Sequence, residues 1–151
     1  MTPRARTIIA ALLSASAVTA FAAGVAPADV LAVSVSGNPG AYTFSVRIKS
    51  PDTGCKQYAD WWEVLDSSGK LLYRRILWHS HADEQPFERD GGPVSIQANT
   101  TVWVRAHLHP GGYGGITFRG SPQAGFKAVG APAGFAAAAE RLAPQPDSCA
   151  F

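Results

Sequence analysis

Residues 41 to 49 read Ala-Tyr-Thr-Phe-Ser-Val-Arg-Ile-Lys, with Tyr42, Phe44, Val46 and Ile48 at every second position and polar residues between. Side chains of a β-strand alternate faces, so this segment buries an apolar surface only as a strand of a half-covered antiparallel sheet. The rest of the middle of the chain follows the same logic. Trp61 to Leu65 and Leu71 to Trp78 flank Asp66-Ser67-Ser68-Gly69-Lys70, which predicts a hairpin. Asp90-Gly91-Gly92-Pro93 predicts a turn, with Val94 to Ala98 a short strand after it. Thr100 to His109 is a further strand with Val102, Val104, Ala106 and Leu108 inward, ended by the glycine-rich Pro110 to Gly115. Short strands at this spacing, with no helices interleaved, indicate an all-β antiparallel sandwich over residues 29–120. Residues 121–151 are rich in Ala, Gly and Pro and read as a tail with a short helix, Gly134 to Leu142.

Arg4 and Arg6 precede an uncharged apolar run from Ile8 to about Ala23, followed by small-residue sites of the A-x-A kind ending at Ala22 and Ala28. This is the pattern of a secretory signal peptide over residues 1–28, cleaved after Ala22 or Ala28 by the general export route. The run is too rich in Ala, Ser and Thr for a strong membrane anchor, so the processed chain is not expected to span a membrane. Two of the 13 basic side chains leave with the leader, which makes the remainder neutral against 11 acidic ones. Without a Lys/Arg cluster, nothing points to nucleic acid. The remaining length of about 125 residues suits one domain with one core. Cys55 and Cys149 are the only cysteines, and an oxidising, secreted or periplasmic compartment predicts that they pair and pin the tail. A loop of that length stabilises by roughly 4 kcal/mol on the chain-entropy account. The other reading makes Cys55 a thiolate ligand.

The segment Ala98-Asn99-Thr100-Thr101-Val102-Trp103-Val104-Arg105-Ala106 resembles the turn-and-strand signature late in fibronectin type III domains, and Asp60 to Arg75 is similar to the central hairpin of immunoglobulin-like sandwiches. The resemblance implies a sandwich and no particular function. In such a sheet the strand beginning near Asp60 lies between the strand ending in His109 and the one ending in His81. The two outer strands then run parallel, about 9.5 Å apart, and end on the same side.

All four histidines fall in two His-x-His pairs, His79/His81 and His107/His109. Imidazole is the commonest ligand for zinc and copper, and the topology brings both pairs to one end of the sheet. The expected function is therefore binding of a zinc or copper ion through His79, His81, His107 and His109, with Glu84 as a further ligand. Asp60 and Asp83 are then carboxylates that orient an imidazole or complete the set. The alternative is an interaction module without a metal, whose aromatic face of Trp62, Trp103 and Tyr113 takes an extracytoplasmic protein or a glycan. His79-x-His81-x-x-Glu84, then six residues to Gly91, resembles a shortened first motif of the cupins, which implies a metalloenzyme. The histidine-to-glutamate gap is one residue short and the second cupin motif is missing. A blue-copper site lacks its methionine, since Met1 is the only one and leaves with the leader. No nucleophile triad or nucleotide loop is present to support an enzyme.

Overall fold

A computed structural model describes residues 24–150. The segment read as a leader lies, up to residue 23, outside them. The chain forms eight strands: β1 (Asp29–Asn38), β2 (Ala41–Lys49), β3 (Tyr58–Asp66), β4 (Leu71–Ile76), β5 (Phe87–Val94), β6 (Val102–His109), β7 (Thr117–Ser121) and β8 (Gly125–Val129). They make an all-β sandwich of two antiparallel sheets, β1-β2-β5 and β4-β3-β6-β7-β8. The alternation in β2 does what its period requires: Tyr42, Phe44, Val46 and Ile48 are buried against Val64, Val104, Ala106 and Leu108 of the facing sheet. Burial of one such large apolar side chain stabilises by about 1.5–3 kcal/mol.

The predicted hairpin is β3–β4, its turn held by Asp66 Oδ1, which accepts from the amides of Ser68 (2.8 Å) and Lys70 (3.0 Å). The predicted turn at Asp90–Pro93 is not one, because β5 continues through it, with a shift in register opposite Tyr42 to Phe44, and pairs with β2. The glycines serve another purpose there. A Cβ on Gly91 would lie 2.8 Å from Cζ2 of the fully buried Trp62, so only glycine lets β5 pass that ring. The strand expected at Val94 to Ala98 is likewise absent. Ile96 is instead tucked into the core while its carbonyl accepts from Gly40 N (2.8 Å).

The sheet also extends past residue 120, since β8 lies in the segment read as tail. Its Phe126 packs edge-on against Phe44, with ring centroids 5.7 Å apart. The expected short helix at Gly134 to Leu142 is a single 3-10 turn, Ala137–Arg141. The disulfide between Cys55 and Cys149 is formed. No helix of the described residues is long and apolar enough to cross a membrane.

β3 shows why the tail matters. Its residues are buried on both faces from Tyr58 to Leu65. Trp62 and Val64 face the other sheet, whereas Trp61, Glu63 and Leu65 face outward, beneath the segment from Phe135 to Pro144. This segment is a strap laid across the outer face of the five-stranded sheet.

Candidate functional site

The strap is fastened by charge. Glu63, fully buried at the centre of β3, is gripped on one oxygen by Arg74 (Nε 2.9 Å, Nη2 2.6 Å) and on the other by Arg105 (Nε and Nη2 both 2.8 Å). The two guanidinium groups then spend their outer N–H groups on strap carbonyls. Arg74 donates to Ala139 O (2.6 Å), Leu142 O (2.6 Å) and Pro144 O (2.9 Å). Arg105 donates to Phe135 O (2.7 Å) and Ala136 O (2.9 Å). A planar five-donor fork is the side chain that can satisfy a carboxylate and several carbonyls at once.

Beside this triad the outer face carries a second polar group. His107 projects outward from β6 and stacks on Trp61, with ring centroids 3.7 Å apart and planes 6° apart. Its Nδ1 donates to Asp60 Oδ1 (2.6 Å), and its Nε2 lies 3.3 Å from Glu140 Oε1 on the strap. Tyr113 closes the other side, its ring edge-on to His107 and its face covered by Arg105 at 3.5 Å. Burial and the nearby Glu63 push the Tyr113 hydroxyl far above its ordinary range, so it stays neutral. Two clefts open here. One, of about 560 Å³, lies between the glycine-rich loop and the strap; the other, of about 470 Å³, is lined by Asp60, Trp61, His107, His109, Arg141 and Gln145. Glu140 borders both.

The other histidine pair sits at the same end of the sandwich, as the strand order β4-β3-β6 requires, but on the other side of the sheet. β4 stops at Ile76, and Leu77 N still donates to Asp60 O (2.8 Å). The chain then leaves the sheet. His81 turns inward and stacks on Phe87 of β5, with centroids 3.8 Å apart and planes 9° apart. Its ring is buried, and neither nitrogen has a hydrogen-bond partner. Nδ1 stands 3.8 Å from Asp52 Oδ2, beyond hydrogen-bond reach. Asp52 is committed elsewhere, accepting from the amides of His81 (2.8 Å) and Ala59 (2.9 Å) and from Ser50 Oγ (2.5 Å). Burial raises its pKa, but the contacts with His81, Ser50 and Ala59 outweigh that and leave the carboxyl below its ordinary value. The exposed His79 lies against His81, with ring centroids 4.4 Å apart.

The structure therefore brings each pair together and separates the two. The cause is the parity of β6, which aims His107 and His109 at the strap, against the stacking of His81 on a core phenylalanine of the opposite sheet. Among the described residues no group of three or more His, Cys, Asp or Glu side chains is placed to hold a metal ion. Glu84 is at the surface, tied to Arg89 (2.7 and 3.2 Å) rather than to an imidazole, and Asp83 is exposed. Asp60 does orient an imidazole, that of His107. Cys55 is in the disulfide and is no thiolate ligand. Of the expected aromatic face, Trp62 is core and Trp103 is covered by Phe135 (centroids 5.0 Å apart), which leaves Tyr113 at a cleft.

The sequence reading missed Glu63, Arg74, Arg105 and Glu140 on the outer face, and Asp52 beside His81. The signal was present for Glu63, since a lone carboxylate inside Trp-Trp-Glu-Val-Leu can be buried there only with a cation against it.

No protein-family model and no solved structure matches the chain. A protein of Halomicrobium mukohataei named "Putative lipoprotein" is 40% identical over 87 residues, which cover 58% of this chain. The matched stretch is 42% of that protein, so the chain spans less than half of the relative's length. That name and the disulfide both fit an extracytoplasmic location.

Proposed function

We propose that this protein is an exported binding module whose ligand, a glycan, lies in the clefts between the outer face of the five-stranded sheet and the strap. The observation that carries this reading is the fixed His107. Asp60 holds one ring nitrogen, Trp61 holds the ring plane, and the other nitrogen faces Glu140 at the junction of the two clefts. Volumes of this size suit one or two sugar rings. His109, Glu140 and Arg141 border the opening with planar polar groups that exchange hydrogen bonds with hydroxyls. A glycan array followed by isothermal titration tests this. Binding is expected to fall at least tenfold in Glu140→Ala and in His107→Ala, and to be unchanged in Trp78→Ala, a substitution of an exposed residue outside the clefts. Retention of no glycan at millimolar concentration would sink the reading, and a protein ligand held by the same residues would replace it.

A second reading keeps a zinc or copper ion as the ligand, because one observation favours it: His81 is a buried imidazole with both nitrogens unpartnered, beside His79. A buried polar group without a partner is costly, and a metal ion would satisfy it. A centre shared by all four histidines has no such support. Titration with Zn²⁺ and Cu²⁺ tests this reading, and binding weaker than micromolar for both ions would reject it.

A further inference from the structure

We infer that the glycan of the reading above, on which this inference rests, is an acidic one, and that Arg119 and Lys127 seat its carboxylate or sulfate group. The first ground is their placement. Phe118 and Phe126 pack against the core, so period-two alternation turns Arg119 on β7 and Lys127 on β8 to the outer face. The two are register partners, and both are exposed. Like charges directly opposite each other on antiparallel strands repel and weaken the pairing. Among the described residues, the ion pairs take Arg74, Arg89, Arg105, His81 and His107, and none takes Arg119 or Lys127. An oxyanion between the two cations removes their repulsion, and Arg119 brings the planar fork that grips carboxylate and sulfate alike.

The second ground is continuity with the larger cleft. Thr117 lines that cleft and pairs with Val129, and Gly130, the residue after it, is also in the lining. Arg119 and Lys127 form the next rung on the same face, about 7 Å further along the strands. A sugar chain on the floor of the cleft therefore needs to extend by only about one ring to reach them. Trp103 is the register partner of Arg119 on the other side, and the guanidinium lies 5.5 Å from its ring centroid. That attraction keeps the Arg119 side chain on this face.

The third ground is the polarity of the outer face. Asp60 and Glu140 line the smaller cleft against one permanent cation, Arg141. At the larger cleft, Arg105 shares Glu63 with Arg74, and two guanidinium groups against one carboxylate leave a positive surplus under the strap. The face thus runs from carboxylates beside His107 to unpaired cations on β7 and β8. An acidic glycan is favoured in one direction, its charged group over Arg119 and Lys127 and its hydroxyls toward His107 and Glu140.

The test is isothermal titration of the disulfide-bonded protein with neutral, uronate-bearing and sulfated oligosaccharides of equal length. At least one acidic form is expected to bind about tenfold tighter than the neutral one. Added sodium chloride should cut that advantage severalfold, because it screens exposed charges. In the double variant Arg119→Gln, Lys127→Gln the advantage should nearly vanish, whereas Lys127→Arg keeps the charge and should keep the advantage. Both side chains are exposed, so the variants should fold, and an unchanged melting temperature checks this. Acidic sugars held no tighter than neutral ones, or an advantage that survives the double substitution, overturn the inference and leave the glycan reading standing. An advantage lost in Arg141→Gln instead assigns the charge to the smaller cleft and overturns it too. If no oligosaccharide binds the unaltered protein, both fall together.

Discussion

Asp52 is one residue on which two distant parts of the chain converge. Its oxygens hold the amide of Ala59 at the entry to β3 and the amide of His81 after β4, so it fixes the loop that carries the histidine pair. Its lowered pKa makes that support sensitive to acid, and the sign follows from proton counting. The unfolded carboxyl titrates near pH 4 and the folded one lower, so as pH falls from one to the other the unfolded chain binds more protons and the native state loses stability. We expect the stability difference between the unaltered protein and Asp52→Asn to be constant above about pH 5 and to shrink as pH falls below about 4. Urea midpoints measured from pH 7 to pH 3 check this, and a difference that stays constant to pH 3 would assign the role of Asp52 to shape rather than charge. The histidines were legible in the sequence only to this level. Period-two parity paired them and put His107 and His109 opposite the aliphatic face. It could not see that His81 leaves the strand and finds Phe87 of the other sheet, a contact made across the five loop residues Ala82 to Pro86.

At the level of elements, the strap and β3 explain each other. A strand buried on both faces needs a second cover, and the five hydrogen bonds from Arg74 and Arg105 to carbonyls between Phe135 and Pro144 supply it. The tail was legible only as a segment pinned by Cys149, and its composition hid its role as a cover, because backbone carbonyls leave no mark in a sequence of Ala, Gly and Pro. The same composition hid β8, where only Phe126 and Val129 stand out. Glu63 is the keystone of the arrangement. Removing one partner of a buried ion group strands the others, so Glu63→Ala is expected to destabilise the protein by about 3–5 kcal/mol. The loss should be local first. The amides of Ala137, Ala139 and Leu142, which donate within the 3-10 turn, should exchange with solvent faster than those of β2. Reduction of the disulfide should not have this effect, since the guanidinium contacts hold the strap independently of Cys149. If reduced protein and Glu63→Ala lose strap protection equally, the disulfide rather than the triad is the fastener.

For the whole molecule, the sandwich was written in hydrophobic periodicity, and the order β4-β3-β6 was implied by the resemblance to immunoglobulin-like sheets, whereas the site depends on long-range contacts that periodicity does not carry. The same distinction bears on where the chain begins once the leader read in residues 1–28 is removed as the sequence predicts. Two A-x-A sites, ending at Ala22 and Ala28, were equivalent as sequence. They are not equivalent in the fold. Ala28 is buried in the main core, and its carbonyl packs so close to the glycine-rich loop that a Cβ on Gly115 would lie 1.9 Å from it. Asp29 Oδ1 accepts from Ile116 N (2.7 Å), and Val30 N donates to Ile116 O (3.0 Å), so the residues after Ala28 stitch β1 to the start of β7. Cleavage after Ala28 would remove the buried Ala28 and place a charged amino terminus on the half-buried Asp29 beside that loop, where partly burying an unpaired charge is unfavourable. Cleavage after Ala22 leaves six residues of lead-in and keeps Ala28 as an ordinary backbone link. The mature chain is therefore expected to begin at Ala23, and the intact mass of protein recovered from the export compartment checks it directly. A chain made to begin at Asp29 should fold with a lower melting temperature, and its loss should concentrate in the loop from Pro110 to Ile116, which forms one wall of the larger cleft. A recovered mass beginning at Asp29, with unchanged stability, would show that the contacts of Ala28 are dispensable and that this end of the cleft is set by the loop alone.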